Sequence, residues 1–457
     1  MNALISTALS GVVLMFVGLF VRNKQHIKFF AIAAIILSFI ANLTLYPTVQ
    51  LGSYIQYGMI EVSKFSVLFN AVALGATLIY FLLSGKEFEK VGEHVGDYFA
   101  LIFFILAGIT LASSFSNLLM LFLAIEIMSI PQYVLAGADR KSLKSNEASL
   151  KYFLMGSFST GILLMGIALI YGAAGTFNIT ELGLGADPVH PLALCGIILM
   201  AFALAFKVSA VPFHFWTPDV YDGSPTVFTS FMATVVKAGG FVAFLRMFHV
   251  SFSGGAISQH WTLILSIITA ATLILGNFSA VFQQSVKRML AYSSIAQAGF
   301  MLFAVIAINQ FAAQGIVLYA AAYSLATIGV FAVLMKLKDY TFEGFNGLAR
   351  KQPLLALATT IFLFSLAGIP VTAGFFAKYF VLSAAIQHGH LLWLVIVGVL
   401  CAAISVYYYF RVIMAMYFKQ GDPEVEPISG GFRAALVLTI VLVLVLGLFP
   451  GLLIGWL

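Results

Sequence analysis

Charge is scarce in this chain. Only 9% of its 457 residues are Asp, Glu, Lys or Arg, against roughly 25% in a soluble domain. Hydrophobic residues make up 62% and the mean hydropathy is +1.05, so a water-soluble core-and-surface architecture is excluded. Cysteine is almost absent: Cys195 and Cys401 both lie in apolar runs. Two cysteines cannot hold an iron–sulfur cluster, which takes four protein ligands, nor form a disulfide framework. The first apolar run lacks a basic leading segment and a small-residue cleavage site, so it reads as a span and not as a removed signal peptide. Dinucleotide fingerprints, phosphate-binding loops, nucleophile–base arrangements and a mid-span histidine pair for haem are all missing. The net charge of +6 is spread over short loops, which argues against nucleic acid as a partner and for the lipid bilayer.

Long apolar runs fill the space. About fourteen are long enough for the roughly 20 residues a bilayer crossing needs, centred near residues 12, 36, 73, 106, 126, 161, 204, 238, 271, 299, 323, 370, 404 and 444. They are rich in Leu, Ala, Phe and Met without a two-residue alternation, which favours helices over a β-barrel. Basic residues test the count through the preference of Lys and Arg for cytoplasmic loops. Odd-numbered loops hold 16 of the 23, including Arg22, Lys24 and Lys28 in the first and Lys336, Lys338, Arg350 and Lys351 in the eleventh; even-numbered loops hold Lys64 alone. That parity predicts fourteen spans, with loops 138–146 and 336–352 in the cytoplasm and both termini on the outer side.

Two runs are interrupted alike. LAFKVSAVPFHFW breaks at Pro212, in span seven, and FLFSLAGIPVTAGFF at Pro370, in span twelve. A proline removes a backbone donor, and inside a membrane the freed carbonyls need protein or water partners. Matched broken helices mark the ion site in transporters built from inverted repeats. The breaks lie five spans apart, and a repeat with an odd number of spans inverts its second copy. The expected division is therefore three N-terminal spans in residues 1–95, a first five-helix repeat (spans 4–8) in 96–250, a second, inverted repeat (spans 9–13) in 251–420, and a last span in 421–457.

Four charges sit deep in these runs: Glu126, Lys207, Lys237 and Lys378. Each costs roughly 3 kcal/mol at the centre of a spanning helix, and such residues mark ion or proton pathways. A lysine out of water loses the solvation that favours its charged form, which suits it to exchanging a proton. The competing readings are a hydrogen-bonded core glutamate, snorkelling lysines and proline kinks of purely structural use. Lys151, near the start of span six, fits an interface position as well as a functional one. Arg246 and Arg411 lie toward span ends, as anchors do, and His214 stands beside the first break.

The segments FKVSAVPFHFWTPDVYDGSPT, KRMLAYSSIAQAGF and GIPVTAGFFAKYF resemble the antiporter-like membrane subunits of respiratory complex I, a proton-pumping NADH–quinone oxidoreductase. The resemblance covers roughly residues 95–420. FHFWTPDVYDG and Lys378 are most similar to the subunit N branch, and the chain lacks the long C-terminal extension of subunit L. The resemblance implies an all-α polytopic membrane protein, in which Glu126 pairs with Lys207, Lys237 lies on a central hydrophilic axis, Lys378 joins that axis to the far side, and Lys151 matches a common basic residue. It implies a proton-translocating subunit of a bacterial inner membrane with no cofactor of its own, partner subunits supplying FMN, iron–sulfur clusters and quinone. The paralogous subunit M and small membrane subunits are implied as neighbours. Gln297 stands where the family often has histidine and cannot titrate; water beside Tyr292, Ser293 and Ser294 would take that step. A cation/proton antiporter subunit, a membrane-bound hydrogenase subunit and an inert scaffold are the alternatives.

Overall fold

In the computed structural model the described residues are 2–21, 24–50, 52–184, 190–254 and 256–457. Arg22, counted above in the first basic loop, lies outside them. The described chain is helical apart from one antiparallel hairpin, β1 (Tyr54–Gln56) with β2 (Ile60–Val62). Its turn passes through Tyr57 at φ 55° and Gly58 at φ 64°, the left-handed pair that matches the twist of two strands.

The helices in chain order are α1 (Asn2–Phe20), α2 (Lys24–Leu43), α3 (Lys64–Ser84), α4 (Val95–Ala112), α5 (Leu118–Ala136), α6 (Leu143–Ala174), α7 (Pro191–Lys207) and α8 (Trp216–Gly223). Then come α9 (Thr226–Ser251), α10 (Ala256–Val281), α11 (Val286–Ala307), α12 (Gln310–Leu334), α13 (Pro353–Ala367), α14 (Ala373–Gln387), α15 (Leu392–Phe418) and α16 (Gly430–Leu448); one-turn helices occupy some connections. Among the described residues 12 helices are long and apolar enough to cross a membrane. The two spans expected to be broken are the two that no single long helix covers: α7 and α8 flank the first break, and α13 and α14 the second.

Burial grades from the middle outward. α9, α11 and α12 are enclosed almost entirely, whereas α1, α2, α6, α15 and α16 leave much of their apolar surface outward, as lipid-facing helices do. Small residues set the close crossings. A Cβ on Gly18 of α1 would come within 2.9 Å of the Gly96 backbone on α4, and one on Gly166 of α6 within 2.9 Å of the Gly196 carbonyl on α7. Apolar lipid gives helices no hydrophobic reason to associate, so such backbone contact supplies the packing.

Side chains meet backbone groups at both breaks. After α7 the chain turns at Ser209, φ 66°. The Phe206 carbonyl accepts from the Trp216 indole at 3.2 Å, and the Val211 N–H donates to Thr272 of α10 at 2.9 Å. After α13 it turns at Gly368, φ 86°, and again at Val371, φ 76°. There the Leu366 and Ala367 carbonyls are met by side chains that define the site.

Candidate proton-conducting site

The expected charges stand on four elements. Glu126 is carried by α5, Lys207 ends α7, Lys237 lies midway along α9, and Lys378 lies on α14. Lys237 and Lys378 are buried, at 2% and 7% exposure; Glu126 and Lys207 are half-buried.

Glu126 and Lys207 make no direct ion pair. The Thr160 hydroxyl of α6 donates to Glu126 at 2.7 Å, and the Lys207 ammonium donates to the Ser129 hydroxyl of α5 at 2.6 Å. Ser129 follows Glu126 by one turn of the same helix, as i, i+3 spacing requires. Thr160, Ser129 and Lys207 all line one small cavity, about the size of a single water. Lys207 therefore lines this cavity itself, and Glu126 reaches it through the Thr160 hydroxyl.

Lys207 also touches the next station. A Cβ on Gly240 would lie 3.6 Å from Cγ of Lys207, so glycine here lets that side chain run against α9, one turn from Lys237. Just before Lys237 the helix widens into a π turn, Met232–Val236, a local unwinding frequent at functional sites. The Lys237 ammonium donates to the Ser294 carbonyl at 2.9 Å and to its hydroxyl at 3.0 Å. It faces the Tyr221 ring, 5.8 Å from the centroid.

Ser294 leads to the second break. Three residues on along α11, the Gln297 amide donates to the Leu366 carbonyl at 2.9 Å and to Tyr409 at 3.1 Å, and its oxygen accepts from Tyr319. Lys378 donates to the same Leu366 carbonyl and to Ala367, both at 2.9 Å, and lies 4.7 Å from the centroid of the Phe300 ring. Lys378 thus bends back across its own break to cap α13, where a cation complements the helix dipole. Gln297, Tyr319, Tyr323 and Lys378 line a second water-sized cavity.

Lys151 stands apart, 40% exposed, in ion pairs with Glu147 at 2.7 Å and Asp219 at 3.0 Å. Asp219 also pairs with Arg288 at 3.0 Å, so this cluster ties α8 to α6 and α11. His214 packs its ring against Phe215 in the first break. Cys195 and Cys401 are unpaired, and among the described residues no three His, Cys, Asp or Glu side chains gather as a metal site.

Three buried charges were not legible as such. Arg246, expected as a span-end anchor, is 7% exposed; it pairs with Glu61 of β2 at 2.7 Å and donates to the Phe115 carbonyl at 2.6 Å. Lys287, counted with the loops, is 4% exposed and caps the end of α8 through the Asp222 and Ser224 carbonyls at 2.8 and 2.7 Å. Lys336, another loop residue by sequence, is buried against Glu87. Each partner is remote in sequence, and only the pattern of a lysine or arginine bordering an apolar run pointed to them.

The family described as NADH:quinone oxidoreductase/Mrp antiporter, TM, matches residues 116–405. NADH-quinone oxidoreductase subunit N of Flavobacterium psychrophilum is 37% identical over 456 residues, covering 98% of each chain. The subunit N of Trichlorobacter lovleyi is 45% identical over 354 residues, 75% of this chain and 72% of that protein. Among solved structures, a chain of respiratory complex I from Thermus thermophilus, with bound aureothin, superposes with a TM-score of 0.85 at 34% identity, covering 99% of this chain and 98% of that one.

Proposed function

The chain belongs to the NADH-quinone oxidoreductase subunit N family, and on that premise we propose that it moves protons across a bacterial inner membrane while partner subunits pass electrons from NADH to quinone. It is a non-redox subunit of a translocase. FMN, the iron–sulfur clusters and quinone belong to the partners, and the paralogous subunit M and small membrane subunits adjoin this chain. Its basic loops face the cytoplasm and both termini the outer side, the orientation that the Lys and Arg parity favours.

The proton path runs from Glu126 through the Thr160–Ser129 cavity to Lys207, then to Lys237, and by way of Ser294 and Gln297 to Lys378. One observation carries this reading. Lys237 is bound to Ser294 of α11, and one turn along that helix Gln297 shares the Leu366 carbonyl of α13 with Lys378. Neither has a carboxylate within 4 Å, so either can give up its proton without stranding an anion. Gln297 orients the path and does not titrate; a water in the cavity beside it supplies the mobile proton. Lys151 lies off this path and anchors α8. The two broken elements, each with a lysine at its break, support inverted repeats over 96–250 and 251–420.

An antiporter subunit would use the same fold and family signature, and the extensive identity to subunits N weighs against it. NADH-driven proton uptake in inverted membrane vesicles tests the reading. Lys207→Ala and Glu126→Gln should each slow coupled pumping roughly tenfold, equivalent to about 1.4 kcal/mol on the barrier, with assembly checked on native gels. Parental pumping by both assembled variants would remove this half of the path.

A further inference from the structure

Two cavities lie end to end on the face made by α2, α3 and α16, and neither is lined by a residue of the lysine path. The first, of about 450 Å3, is at the basic-loop end and is polar, lined by Lys28, Lys86, Glu87, Glu89 and Lys336 with Phe432 among its apolar walls. The second, of about 600 Å3, is an open apolar groove along the same three helices, reaching from Ile79 past Gly75 to Leu68 on α3 and flanked by Leu442 of α16. Both volumes are in the range of ligand sites. Leu82 and Leu83 of α3 line the polar cavity and Leu78 and Ile79 line the groove, so one turn of helix separates them.

The charges of the polar cavity are unequally satisfied. Glu87 is held by Lys336 and by Lys90. Lys28 donates only to the neutral Leu82 carbonyl, at 3.3 Å, and Lys86 is exposed with no ion-pair or hydrogen-bond partner among the described residues. Against these two cations stands Glu89 alone. The balance left over suits one negative charge, and cationic pockets between spanning helices receive phosphate headgroups.

The groove has the matching depth. From Leu68 to Ile79 the helix rises about 16 Å at 1.5 Å per residue, roughly half of a hydrocarbon core about 30 Å thick. Its floor is open at Gly75, where an added Cβ would meet only Phe39, at 3.8 Å.

We propose that this face binds one glycerophospholipid of the leaflet on the basic-loop side, its phosphodiester between Lys28 and Lys86 and an acyl chain in the groove over Gly75.

The test uses the whole assembled complex, delipidated in detergent and incubated with phosphatidylglycerol bearing a photoreactive diazirine on one acyl chain. Irradiation and peptide mapping should place the label on 68–79 of α3 and 438–446 of α16. Unlabelled phosphatidylglycerol should compete, whereas inorganic phosphate should not. Lys28→Glu with Lys86→Glu should cut labelling at least fivefold. Gly75→Leu, which leaves the headgroup pocket intact, should do the same by filling the floor, and it keeps the test decisive if the charge variants fail to assemble. Labelling that survives both substitutions would reduce the face to ordinary lipid contact and overturn the proposal. Competition by inorganic phosphate alone would make the pocket an anion site, and protection of both helices by a partner subunit would make it a protein interface; either result also overturns it.

Discussion

The ends of the bundle and its middle treat buried charge in opposite ways. At the ends, Arg246 pairs with Glu61 and Lys336 with Glu87, so these two buried cations meet carboxylates, while Lys287 is spent capping α8. In the middle, Lys207 rests on a hydroxyl, Lys237 on a hydroxyl and a carbonyl, and Lys378 on two carbonyls. A cation locked to a carboxylate cannot lose its proton without leaving an anion behind in a poorly solvating place. A lysine held by neutral acceptors can, because the neutral amine keeps two N–H donors for those carbonyls and hydroxyls and no anion is left behind. On the proposed reading, the carboxylate-paired cations hold the fold and the three lysines of the middle carry protons.

Breaking an end pair should give the largest effect on stability. Arg246→Met leaves Glu61 unpaired, a loss of about 3–5 kcal/mol, and should deplete the assembled complex on native gels. Adding Glu61→Gln should recover part of that loss, and the complex that does assemble should pump normally. A pumping defect per assembled complex would place Arg246 among the working charges and erase the contrast.

Lys378→Met should behave in reverse. It strips one bond from the shared Leu366 carbonyl and the side-chain bond from Ala367, a cost of about 1–3 kcal/mol for a buried polar group left unsatisfied. Assembly should survive, with a lower thermal midpoint, while proton uptake in vesicles falls steeply. Lys378→Arg should restore the cap to α13 without restoring exchange, since arginine stays protonated. Full pumping in Lys378→Arg would show that the cap alone is needed.

The surface pair of Lys338 and Glu424, 2.7 Å apart and exposed, should give the smallest effect. The hydrogen bond from Lys338 holds the Glu424 carboxyl below its usual range, and the same bond raises Lys338. The contribution of Glu424 is therefore present above the ordinary carboxylate range and fades as pH falls through its lowered value; that of Lys338 fades only as pH rises through its raised one. Exposed pairs contribute little. Thermal midpoints between neutral and acid pH should be slightly less acid-sensitive in Glu424→Gln than in the parent, with no change in pumping.

Much of the charged middle was legible because a charge inside a long apolar run costs energy wherever the helix ends up. Glu126, Lys207, Lys237 and Lys378 could be named from that cost, and the two breaks from their prolines. The connections were not legible. Ser294 lies 57 residues from Lys237 and Gln297 lies 69 from Leu366, and nothing in either stretch says that α11 passes between them. The resemblance had Glu126 paired with Lys207, and in the structure each bonds a hydroxyl instead, Thr160 and Ser129. The end pairs were hidden for a different reason. Glu61 sits in a three-residue strand too short to signal itself, 185 residues from Arg246, so Arg246 read as an anchor. Spacing along one chain reveals which residues share a helix face, and long-range packing decides what that face meets.

The central claim is that Lys237 carries protons because its bonds go to neutral groups on α11. It is tested most directly by NADH-driven proton uptake and quinone reduction in vesicles containing assembled Lys237→Ala complex. The account predicts normal NADH binding and assembly, with coupled turnover and proton uptake falling together by roughly tenfold or more, a barrier increase of at least about 1.4 kcal/mol. Parental rate and stoichiometry in that variant would make Lys237 a structural residue and would contradict the account.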